Sequence, residues 1–151
     1  MTASHILVPT DFSEYADYAL DYAIELAQKL QARLTLLHII DTMPLGVVEE
    51  GSMLPPSYWQ ELETNLEQSM EASLKRLDDV GLQGEPIIVH GVPFQSIIDT
   101  AQDKAVDLIV MGTHGRTGLT HVLMGSVAER VVRMAPCPVL VTRGTTEATP
   151  T

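Results

Sequence analysis

Four glycines lie close together in the segment from Val110 to Val131, which reads VMGTHGRTGLTHVLMGSVAERV. The first, Gly112, follows a short apolar run, and the last, Gly125, precedes Ser126 and an amphipathic stretch. Glycine lets a backbone approach a ligand closely and take positive φ angles, and the first amides of a helix attract anions. This combination of residue types is typical of a loop that holds phosphate groups.

Two polar side chains of this segment strengthen the phosphate interpretation. Arg116 supplies a charge that can contact phosphate, and the Ser126 hydroxyl is a further donor. The spacing is neither the Rossmann fingerprint, which follows a first strand, nor the P-loop pattern, since no Gly-Lys-Ser/Thr occurs. Glycine-rich loops between strand and helix also serve as plain turns, so the glycines by themselves are compatible with both interpretations.

Composition limits the classes of partner. The chain has 151 residues and a formal net charge of −11, which argues against nucleic acid or an anionic membrane surface as its partner. It begins with no signal-peptide pattern and contains no apolar run of membrane-spanning length, so we expect a cytoplasmic protein without membrane insertion. The single cysteine, Cys137, excludes an internal disulfide and is best explained as a small apolar residue.

The elements that must position the glycines alternate between strand and helix. Short apolar runs predict five strands, at residues 5–8, 33–40, 86–90, 108–111 and 138–142. Apolar residues at helical spacing predict four helices, which start after Ser13, at a Ser57/Gln60 capping box, at Pro93, and at Ser126 with an apolar stripe of Val127, Val131 and Val132. The residues from 41 to 56 predict a long loop.

This order predicts an α/β fold, a single doubly wound five-stranded parallel sheet in the order 3-2-1-4-5 with four helices on its two faces. The strands are continuous apolar runs, which indicates cover on both faces. We expect one domain over residues 1–143 and a flexible polar tail over 144–151.

A sheet of this kind binds ligands outside the carboxyl ends of its strands, where the winding direction reverses between strands 1 and 4. The residues that the sequence places at this crevice are Pro9, Thr10 and Asp11 after strand 1, Ile39 near the end of strand 2, and Met111 and Gly112 at the end of strand 4. The glycine segment therefore begins at the one place where a crevice is expected.

The pattern Gly112-x2-Gly115-x9-Gly125-Ser126 resembles the nucleotide-binding signature of the universal stress protein family. The resemblance continues through ILVPTDFSEYADYAL, LLHIID, DLIVMGTHGRTGL and GSVAERVVRMAPCPVLVTR, and covers nearly the whole chain except the 41–57 loop. It implies the same α/β sheet, a homodimer formed through the last strand, and binding of ATP, because members with the intact glycine motif resemble ATP binders.

The resemblance also implies roles for individual residues. Pro9, Thr10 and Asp11 would line the base and ribose side, and Ile39 would contact the adenine through its backbone. Met111 and Gly112 would flank the ribose and the first phosphate. The phosphate chain would be held by Gly115, Gly125, Ser126 and Val127, accompanied by a divalent cation, Mg²⁺.

Three functions are compatible with these residues. The one we favour is an ATP-binding regulatory protein with little or slow hydrolysis, acting on an unknown regulatory partner protein. The second is a nucleotide hydrolase or phosphotransferase with Asp11 and Arg116 as working groups. The third is an interaction module that is empty or holds AMP. We expect no dedicated metal site at the histidines, since His38, His90, His114 and His121 lack a ligand spacing backed by a carboxylate.

The fifth predicted strand, PVLVT, is an edge strand without a charge. An unprotected apolar edge can pair with a second copy around a two-fold axis. The sequence therefore predicts a homodimer through this strand.

Overall fold

A computed structural model describes residues 3–41, 55–114 and 124–144. Its strands are β1 (His5–Pro9), β2 (Arg33–Asp41), β3 (Gly84–Gly91), β4 (Leu108–Gly112) and β5 (Val139–Thr142). Its helices are α1 (Glu14–Leu30), α2 (Pro56–Asp78), α3 (Pro93–Asp103) and α4 (Ser126–Met134). All strand pairs are parallel and the order is β3-β2-β1-β4-β5, which confirms the predicted fold.

The sheet lies between two helical layers, and β1 at its centre shows why. Ile6 and Val8 point into a cluster with α1 and α2, whereas Leu7 points into a second cluster with α3 and α4. All three side chains are fully buried. Each contributes about 1.5–3 kcal/mol by leaving water, so both layers are needed to cover the central strand.

The edge strands are covered less completely than the continuous apolar runs predict. In β3, Ile87 and Val89 are half-buried against the α3/α4 layer, while Ile88 on the other face is 39% exposed. The C-terminal part of α2 packs at the start of β3, where Leu74 lies against Gly84, and leaves the rest of that face open. Cover on both faces is therefore confirmed for the centre of the sheet and is wrong for β3.

Two helix starts test the capping predictions. At α1 the prediction is confirmed, because the Ser13 hydroxyl accepts a hydrogen bond from the Ala16 amide over 3.2 Å. At α2 the predicted capping box at Ser57 is wrong. The helix begins one residue earlier, at Pro56, and no described side chain caps it. Proline suits this first position because its φ is fixed near the helical value and it has no amide to satisfy.

The apolar stripe predicted for α4 is also partly wrong. Val131 is fully buried and Ala128 is buried beside it, but Val132 is 46% exposed. Val132 lies about 100° around the helix from Val131, which turns it away from the sheet. No helix among the described residues combines the length and the apolar character needed to cross a membrane.

Candidate functional site

A cavity of about 600 Å³ opens at the carboxyl edge of the sheet, beside the ends of β1 and β4. It is lined by every candidate site residue that the structure describes: Pro9, Thr10, Asp11, Ile39, Met111, Gly112, Gly125, Ser126 and Val127. The two other candidates, Gly115 and Arg116, lie outside the described residues. The switch-point rule thus predicts where the cavity lies.

Further residues line the cavity besides those predicted from the sequence. They are Ala16 of α1, Pro93 and Ile97 of α3, Thr113, His114 and Met124 of the segment after β4, and Ala128 and Glu129 of α4. The walls from α3 could have been inferred from its position, because α3 starts directly after the carboxyl end of β3. Apolar walls with a few polar groups are usual for a small-molecule site.

The turn between β1 and α1 is held by its own side chains. The Thr10 hydroxyl accepts a hydrogen bond from the Phe12 amide, and Asp11 Oδ1 accepts one from the Ser13 amide, both over 3.0 Å. Phe12 has a φ of 62°, a left-handed conformation that costs a non-glycine residue about 1–2 kcal/mol. The turn is thereby held in one conformation where Thr10 and Asp11 line the cavity.

Ile39 lies in the part of β2 that extends beyond the end of the neighbouring strand β1. β1 ends at Pro9, which is in register with Leu37, and the Leu37 carbonyl accepts from the Thr10 amide over 2.8 Å. In a parallel sheet the N–H and C=O of alternate residues face the same neighbour. The backbone groups of Ile39, two residues after Leu37, therefore face the side on which β1 has ended, and Ile39 lines the cavity.

The start of α4 forms the opposite end of the cavity. Gly125 is the N-cap residue, and no described side chain caps the helix. The amides of the first turn, from Ser126 to Ala128, have no acceptor within the helix and lie at the positive end of its dipole. The one acid of this turn, Glu129, forms an ion pair with Arg133. The helix start is therefore an anion-attracting wall of the cavity.

The structure corrects the reason for two of the glycines. Gly112 does not adopt the positive φ expected from the sequence, and a Cβ there would lie 3.0 Å from the Tyr15 carbonyl oxygen. A Cβ on Gly125 would lie 2.9 Å from the Thr113 carbonyl oxygen. At both positions glycine permits two segments of the protein backbone to approach each other. The corresponding expectation for Gly115 lies outside the described residues.

Thr113 and His114 connect the end of β4 to its surroundings. The Thr113 amide donates to the Thr142 carbonyl over 3.0 Å, which joins this segment to β5. His114 Nδ1 lies 3.0 Å from the Thr113 hydroxyl, and the His114 ring centroid lies 5.3 Å from that of Tyr15. His114 is therefore held at the cavity wall by its neighbours.

His121 lies outside the described residues, whereas the other metal candidates and Cys137 lie within residues 3–41, 55–114 and 124–144. There, no group of three or more His, Cys, Asp or Glu side chains is arranged to hold a metal ion. Burial raises the pKa of the half-buried Cys137 thiol, which keeps it protonated and unreactive at neutral pH.

Comparison with known proteins shows that the chain is similar to members of one protein family. The model of the universal stress protein family matches residues 2–143. Universal stress protein MJ0577 of Methanocaldococcus jannaschii is 37% identical over 152 residues, which cover 91% of this chain and 93% of that protein. Its structure superposes with a TM-score of 0.84, covering 97% of this chain and 100% of the other.

Two further relatives cover the chain as completely. Universal stress protein YxiE of Bacillus subtilis is 32% identical over 148 residues, which cover 91% of this chain and 97% of YxiE. The universal stress protein of Archaeoglobus fulgidus, solved in complex with dAMP, is 23% identical, with a TM-score of 0.66 over 93% of this chain and 98% of that one. At that identity the likeness shows the fold alone.

Proposed function

The chain belongs to the universal stress protein family, and we propose that it binds ATP with Mg²⁺ and uses nucleotide occupancy to regulate a partner protein. The observation that carries the proposal is that the open backbone edge of Ile39 and the start of α4 line one cavity. The first fits a base, the second fits phosphate, and the volume of about 600 Å³ lies in the range of small-molecule sites.

The base preference follows from the backbone of Ile39. A peptide edge offers one N–H donor beside one C=O acceptor. Adenine presents the complement, an acceptor at N1 beside the donor amino group at N6. Guanine presents the reverse order, a donor at N1 beside the acceptor O6, which would place like groups against each other. We therefore infer that the site prefers adenine to guanine.

The phosphate chain would lie against the start of α4, where the Ser126 and Val127 amides and the Ser126 hydroxyl are donors. These groups attract an anion locally although the chain carries a net charge of −11. Asp11, at the end of β1, would accept from a ribose hydroxyl. Mg²⁺ fits this arrangement because it binds mainly to phosphate oxygens and water, with one or two carboxylates. Among the described residues, Asp11 and Glu129 are the carboxylates that line the cavity.

Fast hydrolysis is not part of the proposal. Phosphoryl transfer at enzymatic rates needs a base that positions the nucleophile, a cationic clamp and a held metal. No Lys or Arg is among the described residues that line the cavity. Arg116 was the candidate for this role and lies outside them. We therefore rank the hydrolase or phosphotransferase second.

We also propose that two copies associate through β5. Pro138 and Thr142 direct their carbonyls to β4, so the alternate residues Val139 and Val141 direct their backbone groups to the open edge. After β5 the chain turns toward α1, where a Cβ on Gly144 would lie 3.1 Å from the Tyr18 ring. Among the described residues no strand pairs with this edge, so we propose that a second copy pairs there. The 1–143 domain boundary, the 144–151 tail and the cytoplasmic location stay predictions.

Titration calorimetry of the purified protein with Mg·ATP, Mg·GTP and Mg·AMP tests the nucleotide proposal. We expect saturable binding of ATP, weaker binding of GTP, and weaker binding of ATP when Mg²⁺ is removed. Absence of heat with ATP at millimolar concentration, together with no nucleotide released on denaturation, would refute nucleotide binding. Release of phosphate at several turnovers per second would instead favour the hydrolase.

A further inference from the structure

His38 joins the end of β2 to the turn after β1. Its Nδ1 lies 2.8 Å from the Thr10 carbonyl oxygen, and its ring lies on the Phe12 ring with centroids 4.9 Å apart and planes 30° apart. A carbonyl oxygen can only accept, so Nδ1 carries the proton and donates. His38 is not a lining residue of the cavity, and these two contacts join it to the turn that holds Thr10 and Asp11, which are.

This contact replaces the next rung of the β1–β2 ladder. The last rung is the bond from the Thr10 amide to the Leu37 carbonyl, and its continuation would run from the Ile39 amide to the Thr10 carbonyl. His38 Nδ1 occupies that carbonyl instead. The rung after it would pair the Phe12 amide with the Ile39 carbonyl, but the Phe12 amide is bonded to the Thr10 hydroxyl over 3.0 Å.

We propose that His38 is a positioning residue that ends the β1–β2 ladder one rung early and thereby keeps the Ile39 peptide edge open to the adenine base. This proposal rests on the nucleotide site proposed above. It assigns the base selectivity of the site to a side chain outside the cavity. His38 sets which backbone groups remain available, and Ile39 makes the contact.

The effect of losing the His38 donor follows from burial. Thr10 is only 6% exposed, and a buried carbonyl is almost always hydrogen-bonded. Without Nδ1–H, the donor in register with this carbonyl is the Ile39 amide. The ladder would then extend by one rung and the amide needed by adenine N1 would be used within the protein. The His38 ring also packs against Phe12, the residue with the left-handed φ. A variant without the ring would therefore lose this contact as well as the hydrogen bond.

Three variants distinguish the effect of the His38 hydrogen bond from that of its aromatic ring and from that of a His→Phe substitution in a strand. His38→Phe keeps an aromatic ring and removes the donor. His38→Asn keeps a donor at the position of Nδ1 and removes the ring. His90→Phe makes the first substitution at an exposed residue of β3 and serves as the control. Binding of Mg·ATP and Mg·GTP is measured by calorimetry for each variant and the parent, with melting temperatures recorded alongside.

We expect His38→Phe to weaken ATP by about tenfold, the worth of one or two hydrogen bonds, and GTP by about twofold or less. The preference for ATP over GTP would then nearly disappear. His38→Asn should restore most of it, and His90→Phe should match the parent. A parent-like preference in His38→Phe would overturn the proposal, as would an equal loss for both nucleotides, since a purely structural role predicts that.

Hydrogen exchange of the Ile39 amide tests the same inference without nucleotide and without a variant. We expect this amide to exchange fast in the free protein and slowly once Mg·ATP is bound. Protection in the free protein would show that the ladder continues and would overturn the role of His38. An exposed Ile39 amide in a parent that binds no ATP would refute the nucleotide site while leaving the ladder ending at His38 intact.

Discussion

The Gly125 amide donates a hydrogen bond to the Thr113 carbonyl over 2.7 Å, and that same oxygen lies 2.9 Å from the point where a Cβ of residue 125 would stand. This one contact therefore joins the residue before α4 to the residue directly after β4. Gly125 has a φ of −67° and a ψ of 162°, which any residue can adopt, so its dihedral angles do not require glycine. Among the described residues, the close approach of the Thr113 carbonyl does.

Gly125→Ala should displace the start of α4 and destabilise the protein by about 1–3 kcal/mol, the usual cost of an added methyl group without space. Because the first-turn amides move with the helix, nucleotide affinity should fall as well. Urea unfolding and calorimetry measure the two effects. A variant as stable as the parent would show that the Thr113 carbonyl can move away from the methyl group at little cost.

Ser126→Ala should change nucleotide affinity without changing the stability of the fold. Ser126 is exposed at the first position of α4, and its hydroxyl does not cap the helix. We expect unchanged unfolding by urea and an ATP affinity lowered by about 3–10-fold, which corresponds to the loss of one ordinary hydrogen bond. Equal ATP affinity in the variant and the parent would place the phosphates away from this hydroxyl.

Stability should fall as the pH is lowered from 7.5 to 5.5, because of His5. His5 is 3% exposed, its Nε2 lies 2.6 Å from the Thr35 hydroxyl, and its Nδ1 has no hydrogen-bond partner among the described residues. Burial lowers the pKa of His5, helped by the charge of Arg33 and opposed by the Lys104 backbone carbonyl and the acids at 85 and 107. The unfolded chain therefore binds the proton more tightly, and stability is lost as the pH falls through the unfolded value of about 6.5.

His5→Leu should remove this pH dependence of the urea midpoint, whereas His90→Leu at an exposed position should leave it unchanged. The two acids that act on His5 do not interfere in this window. The pKa values of Glu85 and Asp107 are lowered by hydrogen bonds, to Lys104 and Ser4 respectively, so their contribution is lost only at more acidic pH. An equal slope in His5→Leu and the parent would contradict the assignment.

Val141→Pro should convert the proposed dimer to a monomer. The Val141 amide points to the open edge of β5, so proline removes no hydrogen bond to β4 but blocks pairing with a second copy. The opposite edge of the sheet already has a proline that hinders pairing, because Pro86 lies at an outward-facing position of β3.

Ile88→Pro, also at an outward-facing position of β3, is the matched control and should leave the dimer intact. Light scattering measures the mass of each variant. The protein is kept at tens of micromolar, a concentration well above ordinary dimer dissociation constants. A monomeric parent would refute the dimer. A dimer that persists in Val141→Pro would place the interface on another surface.

Periodicity and chain order were enough to predict the sheet and the position of the cavity. Short continuous apolar runs, separated by helical patterns, allow few arrangements once crossovers must be right-handed. That rule puts the ends of β1 and β4 together and so brings Asp11 and Gly112 to one crevice. Local signals also predicted the cap at Ser13, where a hydroxyl and an amide three residues away decide the helix start.

Only the tertiary structure decided what the individual groups do there. Glycine in a sequence does not reveal whether it makes room for a ligand or for a neighbouring backbone, and at Gly112 the neighbour is Tyr15 of α1. The sequence shows His38 only as one residue of a strand, whereas in the structure its Nδ1 bonds the Thr10 carbonyl and its ring stacks on Phe12. These roles depend on distances between segments far apart in the chain, and a linear pattern carries no information about such distances until the elements have packed.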